Sequence, residues 1–167
     1  VLRFFPSPNQ PTAGDTGQFT FTNPTVSHED FITSRLDHRF SDRNSLFARY
    51  TLDTANRRDL TAFALGRALT QTRHQSAVLE QTRILSPALV NSIRAGLSRT
   101  VTVNNLVQSI DPALDNAAFA FVPGLKAPGR IDVVGLSLFP GGSGALDFDN
   151  NAFTSIQLYN DLSYVRG

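Results

Sequence analysis

Few residues in this chain have the type and spacing to do chemistry, and the histidines come first. His28-Glu29-Asp30 sets an imidazole beside two carboxylates. A helical metal motif needs a second histidine four residues on, and none stands there, so a polar loop end is the better reading. His38 lies between Asp37 and Arg39 on an apolar parity, where a histidine near lipid headgroups is the plain reading, and His74 belongs to no pattern. Asp147-Phe148-Asp149-Asn150-Asn151 offers hard oxygen ligands for Ca²⁺. It lacks the spaced carboxylates, central glycine and terminal glutamate of an EF-hand loop, and reads as a solvated turn. Gly141-Gly142-Ser143-Gly144 is followed by no Lys-Ser/Thr and opens no helix, so it is not a phosphate loop. No serine sits in a nucleophile-elbow pattern, and the absence of cysteine excludes thiolate catalysis, disulfides and thiolate metal sites. The chain is therefore expected to be no enzyme and to carry no cofactor or metal.

What remains is a row of charges: Arg35, Asp37 and Arg39, with Arg49, Asp53 and Arg94. Lys126 is the only lysine among 15 basic residues. Arginine's planar fork suits bidentate pairing with carboxylates on a crowded polar surface. Two uses fit such a row: a ladder of cross-strand ion pairs that holds register, or a surface that touches a substrate. The ladder is the expectation, since opposite charges facing across strands contribute only about 0.2–1 kcal/mol each yet recur wherever sheets have a polar face.

The elements that position this row alternate with a period of two, which sends successive side chains to opposite faces of a strand. Residues 31–53 read as a hairpin. Ile32, Leu36 and Phe40 share one parity with Ser34 and His38, against Thr33, Arg35, Asp37 and Arg39; after the polar turn at 41–45, Leu46, Ala48, Tyr50 and Leu52 oppose Phe47, Arg49, Thr51 and Asp53. Residues 71–85 alternate more weakly, with Arg73, Gln75, Gln81 and Arg83 on one parity, and Leu79 and Glu80 breaking the pattern before the turn signal Ser86-Pro87. Residues 92–103 give the cleanest strand: Ile93, Ala95, Leu97, Val101 and Val103, interrupted by Arg99, oppose Ser92, Arg94, Gly96, Ser98, Thr100 and Thr102. A last strand covers 155–166. Residues 1–30 are a proline- and glycine-rich loop with one short strand near Phe19 and Phe21, 54–70 are a long connection, and 104–152 are a longer one enclosing a short strand at 131–138.

Connections thus alternate short and long between strands near ten residues. That asymmetry is the signature of an outer-membrane β-barrel, with short periplasmic turns and long extracellular loops. Net charge of +1 gives no electrostatic footprint for nucleic acid. No run approaches the ~18 apolar residues of a transmembrane helix. The expected fold class is all-β, an incomplete set of about five antiparallel strands of a transmembrane barrel. A secreted β-sandwich binding module is the alternative; it would bury Ile93, Leu97 and Val101 between two sheets.

The stretch Leu36-Asp37-His38-Arg39-Phe40-Ser41-Asp42-Arg43-Asn44-Ser45-Leu46-Phe47-Ala48-Arg49-Tyr50 resembles the first barrel repeat of the Oar-like TonB-dependent outer-membrane receptors. Phe5-Pro6-Ser7-Pro8-Asn9, the segment from Glu80 to Arg99, and Asn160-Asp161-Leu162-Ser163-Tyr164-Val165-Arg166-Gly167 fit the same register, so the resemblance spans nearly the whole chain. It departs in lacking tryptophan, which the family often shows where Tyr164 stands. The resemblance implies a barrel of about 22 strands, a plug and an N-terminal domain, with residues 1–167 a piece of the barrel cut at both ends. It implies energy-coupled uptake of a large or scarce ligand, with outer-membrane lipid, the plug of the same full-length chain, the TonB complex and an unknown ligand as partners. Arg35, Asp37, Arg39, Arg49 and Arg94 would then face the lumen, in contact with one another or with plug and substrate.

Overall fold

The computed structural model describes residues 1–11, 14–143 and 149–166, with the side chains of 105–107 excepted. Gly144, Asp147, Phe148 and Gly167 of the stretches singled out above lie outside the described residues. Five strands, β1 (Val26–Ser41), β2 (Asn44–Leu60), β3 (Gly66–Ser86), β4 (Leu89–Ser109) and β5 (Asp149–Tyr164), form one sheet in sequence order. Two-residue turns at 42–43 and 87–88 join β1 to β2 and β3 to β4. The alternating segments at 31–53, 71–85, 92–103 and 155–166 all lie in strands, so the all-β, unclosed sheet agrees with the periodicity.

Strand ends differ from expectation. The long connection expected over 54–70 is only residues 61–65, because β2 continues to Leu60 and β3 starts at Gly66. Here Gln71 Nε2 donates to Asn56 Oδ1 at 3.1 Å and the Thr61 N–H to the Gly66 carbonyl at 2.9 Å. Asn56-Arg57-Arg58-Asp59 is polar on both parities, so the extension leaves no apolar alternation to read. For the same reason β1 begins at Val26, which places His28, Glu29 and Asp30 inside a strand and not at a loop end. The short strand near Phe19 and Phe21 does not form; Asn9 instead clamps Thr20, donating to its carbonyl at 2.6 Å and accepting its N–H at 2.8 Å. The expected strand at 131–138 is a single antiparallel bridge between Ile131 and Phe139.

The chain forms two compact units. One comprises residues 1–28, 56–71 and 103–150, the other 29–55, 72–102 and 151–167. The buried apolar residues, Phe4, Leu114, Ala127 and Phe139, all belong to the first. The second is a single sheet layer, in which every residue of β1 is exposed and Ile93 and Leu97 are 45% and 48% exposed. The sandwich alternative fails on this point, since no second sheet covers those positions. Strands of 16–21 residues also exceed the roughly 9–11 that cross a bilayer when tilted.

A sheet with exposed leucines on one face and unpaired edges at β1 and β5 has no water-stable state of its own. The 167-residue chain expressed alone is expected to sediment as aggregate and to enter solution only with detergent. A soluble monomer that unfolds cooperatively in water would overturn this.

Candidate functional site

Side-chain contacts sort the strands into two faces. Thr33 and Thr51 meet hydroxyl to hydroxyl at 3.4 Å, and the Arg35 guanidinium lies 4.5 Å from the Phe47 ring centroid. These contacts put the odd positions of β1 and β2 on one face. His74 Nδ1 lies 2.9 Å from Thr100 Oγ1, Thr82 Oγ1 3.4 Å from Ser92 Oγ, and Arg94 Nε donates to Glu80 Oε2 at 2.6 Å. Even positions of β3 and β4 therefore share a face. Phe47, Glu80 and Thr82 line one hollow with Asp37 and Arg39, which joins the two sets into a single polar face. All five expected residues, Arg35, Asp37, Arg39, Arg49 and Arg94, lie on it by this alternation.

Their pairing differs from the expected ladder. Arg35 donates through Nε and Nη2 to both oxygens of Asp37, at 2.6 and 2.8 Å, along its own strand. Arg39 reaches forward to Asp42 in the turn at 2.8 Å. Among the described residues Arg49 and Asp53 form no ion pair, and only Arg94 with Glu80 bridges two strands. A residue two along the strand is on the same face and within reach of an arginine, so Asp37 pairs with Arg35. These side chains are more than half exposed, and such pairs are worth about 0–1 kcal/mol.

Glu80 was legible only as a fault in the alternation of 71–85. It is the acceptor for Arg94 and for Ser92 Oγ at 3.3 Å. The fault disappears once Arg73, Gln75, Gln81 and Arg83 are placed on the other face. Gln75 Nε2 donates to Tyr50 Oη at 2.7 Å and Gln81 Nε2 to Asn44 Oδ1 at 3.0 Å, which puts the odd positions of β3 with the even positions of β2. Arg99 Nη1 donates to Thr154 Oγ1 at 2.8 Å on the same side. The middle of that face is apolar. Leu36, Leu79, Leu97 and Ile156, all 48% exposed or more, surround a groove of about 560 Å³ whose floor includes Ala48, Ala77 and Ala95. His38 stands edge-on to Phe40 at 4.5 Å on this side, where its parity placed it.

The first unit has a small aromatic core. Phe5 stacks on Phe139 with centroids 5.3 Å apart, Phe4 meets Phe119 edge-on at 5.7 Å, and Arg3 lies over both Phe4 and Phe119. Phe63, with φ of 60°, is held in the left-handed region by ring contact with Phe5 at 5.4 Å. A cleft of about 520 Å³ opens beside these rings, lined by Phe5, Pro8, Gln18, Phe19, Phe63 and Leu136. Such a concave surface with convergent aromatic and polar groups is a candidate for ligand capture.

Asp115 ties this unit together. Its carboxylate accepts from Ser109 Oγ at 2.6 Å, Ser143 Oγ at 2.7 Å and the Ser143 N–H at 2.7 Å. Partial burial pushes its carboxyl upward, but the bonds from Ser109 and Ser143 outweigh that and hold it below the ordinary carboxylate range. A lowered folded-state value means the bonds stabilise the unit fully at neutral pH, and that the stabilisation is lost as pH falls from the ordinary carboxylate range through the lowered value. The protection of the Ser109 and Ser143 amides, their exchange rate relative to the intrinsic rate at the same pH, is therefore expected to fall on acidification. In Asp115→Asn that protection should be low already at neutral pH and insensitive to acid. Acid sensitivity unchanged in that variant would refute the assignment.

A family model described as an outer membrane beta barrel domain matches residues 1–167. No curated protein and no solved structure matches the chain.

Proposed function

The chain belongs to the outer membrane beta barrel domain family and lies in the bacterial outer membrane, and from that premise we propose that it is barrel wall of a TonB-dependent receptor of the Oar-like kind, importing a large or scarce ligand. The observation that carries this reading is the match between the motif at 36–50 and the β1–turn–β2 hairpin, whose Arg35-Asp37-Arg39 row occupies the polar face. The polar face is the lumen wall, available to a plug of the full-length chain and to passing cargo. The apolar face meets lipid. Long excursions at the end away from the two-residue turns are extracellular, and the aromatic cleft is where ligand is first held. Energy coupling is supplied by the TonB complex acting through a region outside these residues.

The test is uptake. Cells with and without the full-length gene are supplied with labelled candidate nutrients, in the presence and absence of a proton-gradient uncoupler. Accumulation that requires both the gene and the gradient is expected. Entry that needs the gene, ignores the uncoupler and simply tracks external concentration would overturn the reading in favour of a passive pore.

A further inference from the structure

The apolar face carries arginines for which the lumen has no use. His74 and Thr100 touch on the polar face, so Arg73 and Arg99, each one residue away, point to the opposite one. Arg73 and Arg99 therefore lie on the same face of the neighbouring strands β3 and β4. Both arginines are exposed, and neither forms an ion pair among the described residues, whereas Arg35 and Arg94 on the polar face are each held by a carboxylate. Arg99 uses one donor on Thr154. Its remaining N–H groups, with those of Arg73, suit a tetrahedral anion between them. Within this unit the strand residues of the apolar face include one carboxylate, Asp30, on β1 and two strands from Arg73.

The groove lies immediately along the same strands. From Gln75 the next residues on this face are Ala77 and Leu79; from Arg99, moving the same way, they are Leu97 and Ala95. Alanine at 48, 77 and 95 leaves a trough between larger apolar side chains. A cationic pair at the head of an apolar trough has the polarity of a lipid lying along the wall. A second copy of the chain docked symmetrically would bring two further arginines to a site already positive.

We infer that Arg73 and Arg99, together with the Ala48, Ala77 and Ala95 groove, bind a phosphate-bearing lipid of the surrounding membrane, the phosphate on the arginine pair and an acyl chain in the trough. This rests on the reading of the apolar face as the lipid side of a barrel. Two strands away from the one carboxylate of their face, the arginines take their counter-charge from the bilayer, and the lipid shields them from hydrocarbon.

The full-length protein, extracted from outer membranes in mild detergent, tests this by its retained lipid phosphorus and by native mass. The unaltered protein and Arg83→Gln, an arginine of the same face near the other turn, are expected to keep bound phospholipid or phosphoglycolipid. Arg73→Gln with Arg99→Gln should lose it at least tenfold, and Ala77→Phe, which fills the trough, should lower it as well. In parallel, the delipidated unaltered protein is offered a phosphoglycolipid or its enzymatically dephosphorylated form. Preference for the phosphorylated form by tenfold or more is expected, with no competition from millimolar inorganic phosphate. Retention within twofold in the double variant, equal binding of the dephosphorylated lipid, or cross-linking that finds a second copy or another protein in the trough would each overturn the inference. The dephosphorylation arm uses no variant and decides even where a substitution prevents folding. Absence of the protein from outer membranes would count against the barrel reading itself, a separate outcome.

Discussion

Leu97→Arg is expected to destabilise the inserted barrel by about 1–2 kcal/mol, the cost of an arginine on the lipid face between its midplane and the level of Arg99. Ser98→Arg, one residue on, is expected to change stability by less than about 0.5 kcal/mol, as a surface substitution in water does. Leu97 is exposed on the apolar face, with Ala95 before it and Arg99 after it, while Ser98 lies between Gly96 and Thr100 on the face of Arg94 and Glu80. The contrast depends on which way each side chain points and on nothing else, since the two residues share a strand and a depth. Urea unfolding of the full-length protein in vesicles, followed by the heat-dependent shift in gel migration of a folded barrel, measures both. Comparable losses in the two variants, or a larger loss for Ser98→Arg, would mean that the faces are assigned wrongly.

Phe139→Ala is the second large effect, expected in the loop unit and not in the sheet. Phe139 is 1% exposed and forms the unit's core with Phe4 and Leu114, stacked on Phe5. Removing a buried phenyl ring costs about 3–5 kcal/mol, and a core of so few residues has little to offset it. Intact cells displaying the full-length variant should be cleaved by added protease within 110–143 at least tenfold faster than unaltered cells, with gel migration of the folded barrel unchanged. Unaltered protection would show that the aromatic cluster does not hold the loops. Uptake should fall with protection if the cleft beside Phe5 and Phe63 captures ligand.

The two effects come from unlike units, one with an exposed apolar sheet face and the other with a packed core. None of the described residues of the sheet unit is buried. The loop unit contains the chain's described core because long excursions without one would have no reason to stay folded.

By itself the sequence determined that there are about five long strands with two unlike faces and short turns within 41–45 and 86–89, because side-chain period and turn chemistry are local properties. Membership of an outer-membrane barrel was legible for the same reason, as was the common face of Arg35, Asp37, Arg39, Arg49 and Arg94. Tertiary structure alone decided which parity of β3 joins the apolar face, because alternation states that two faces exist without saying which neighbour each meets. It settled the partners of the charges too: Arg35 turns to Asp37 on its own strand, and Glu80 meets Arg94 only through pairing of β3 with β4. It decided the length of β2 and β3 within 54–70, where Asn56-Arg57-Arg58-Asp59 is polar on both faces and the strand continues with no apolar signal. The arginine pair above the alanine trough belongs to this second class. Arg73 and Arg99 are 26 residues apart in the chain, and a contact between their neighbours His74 and Thr100 is what brings them to one place.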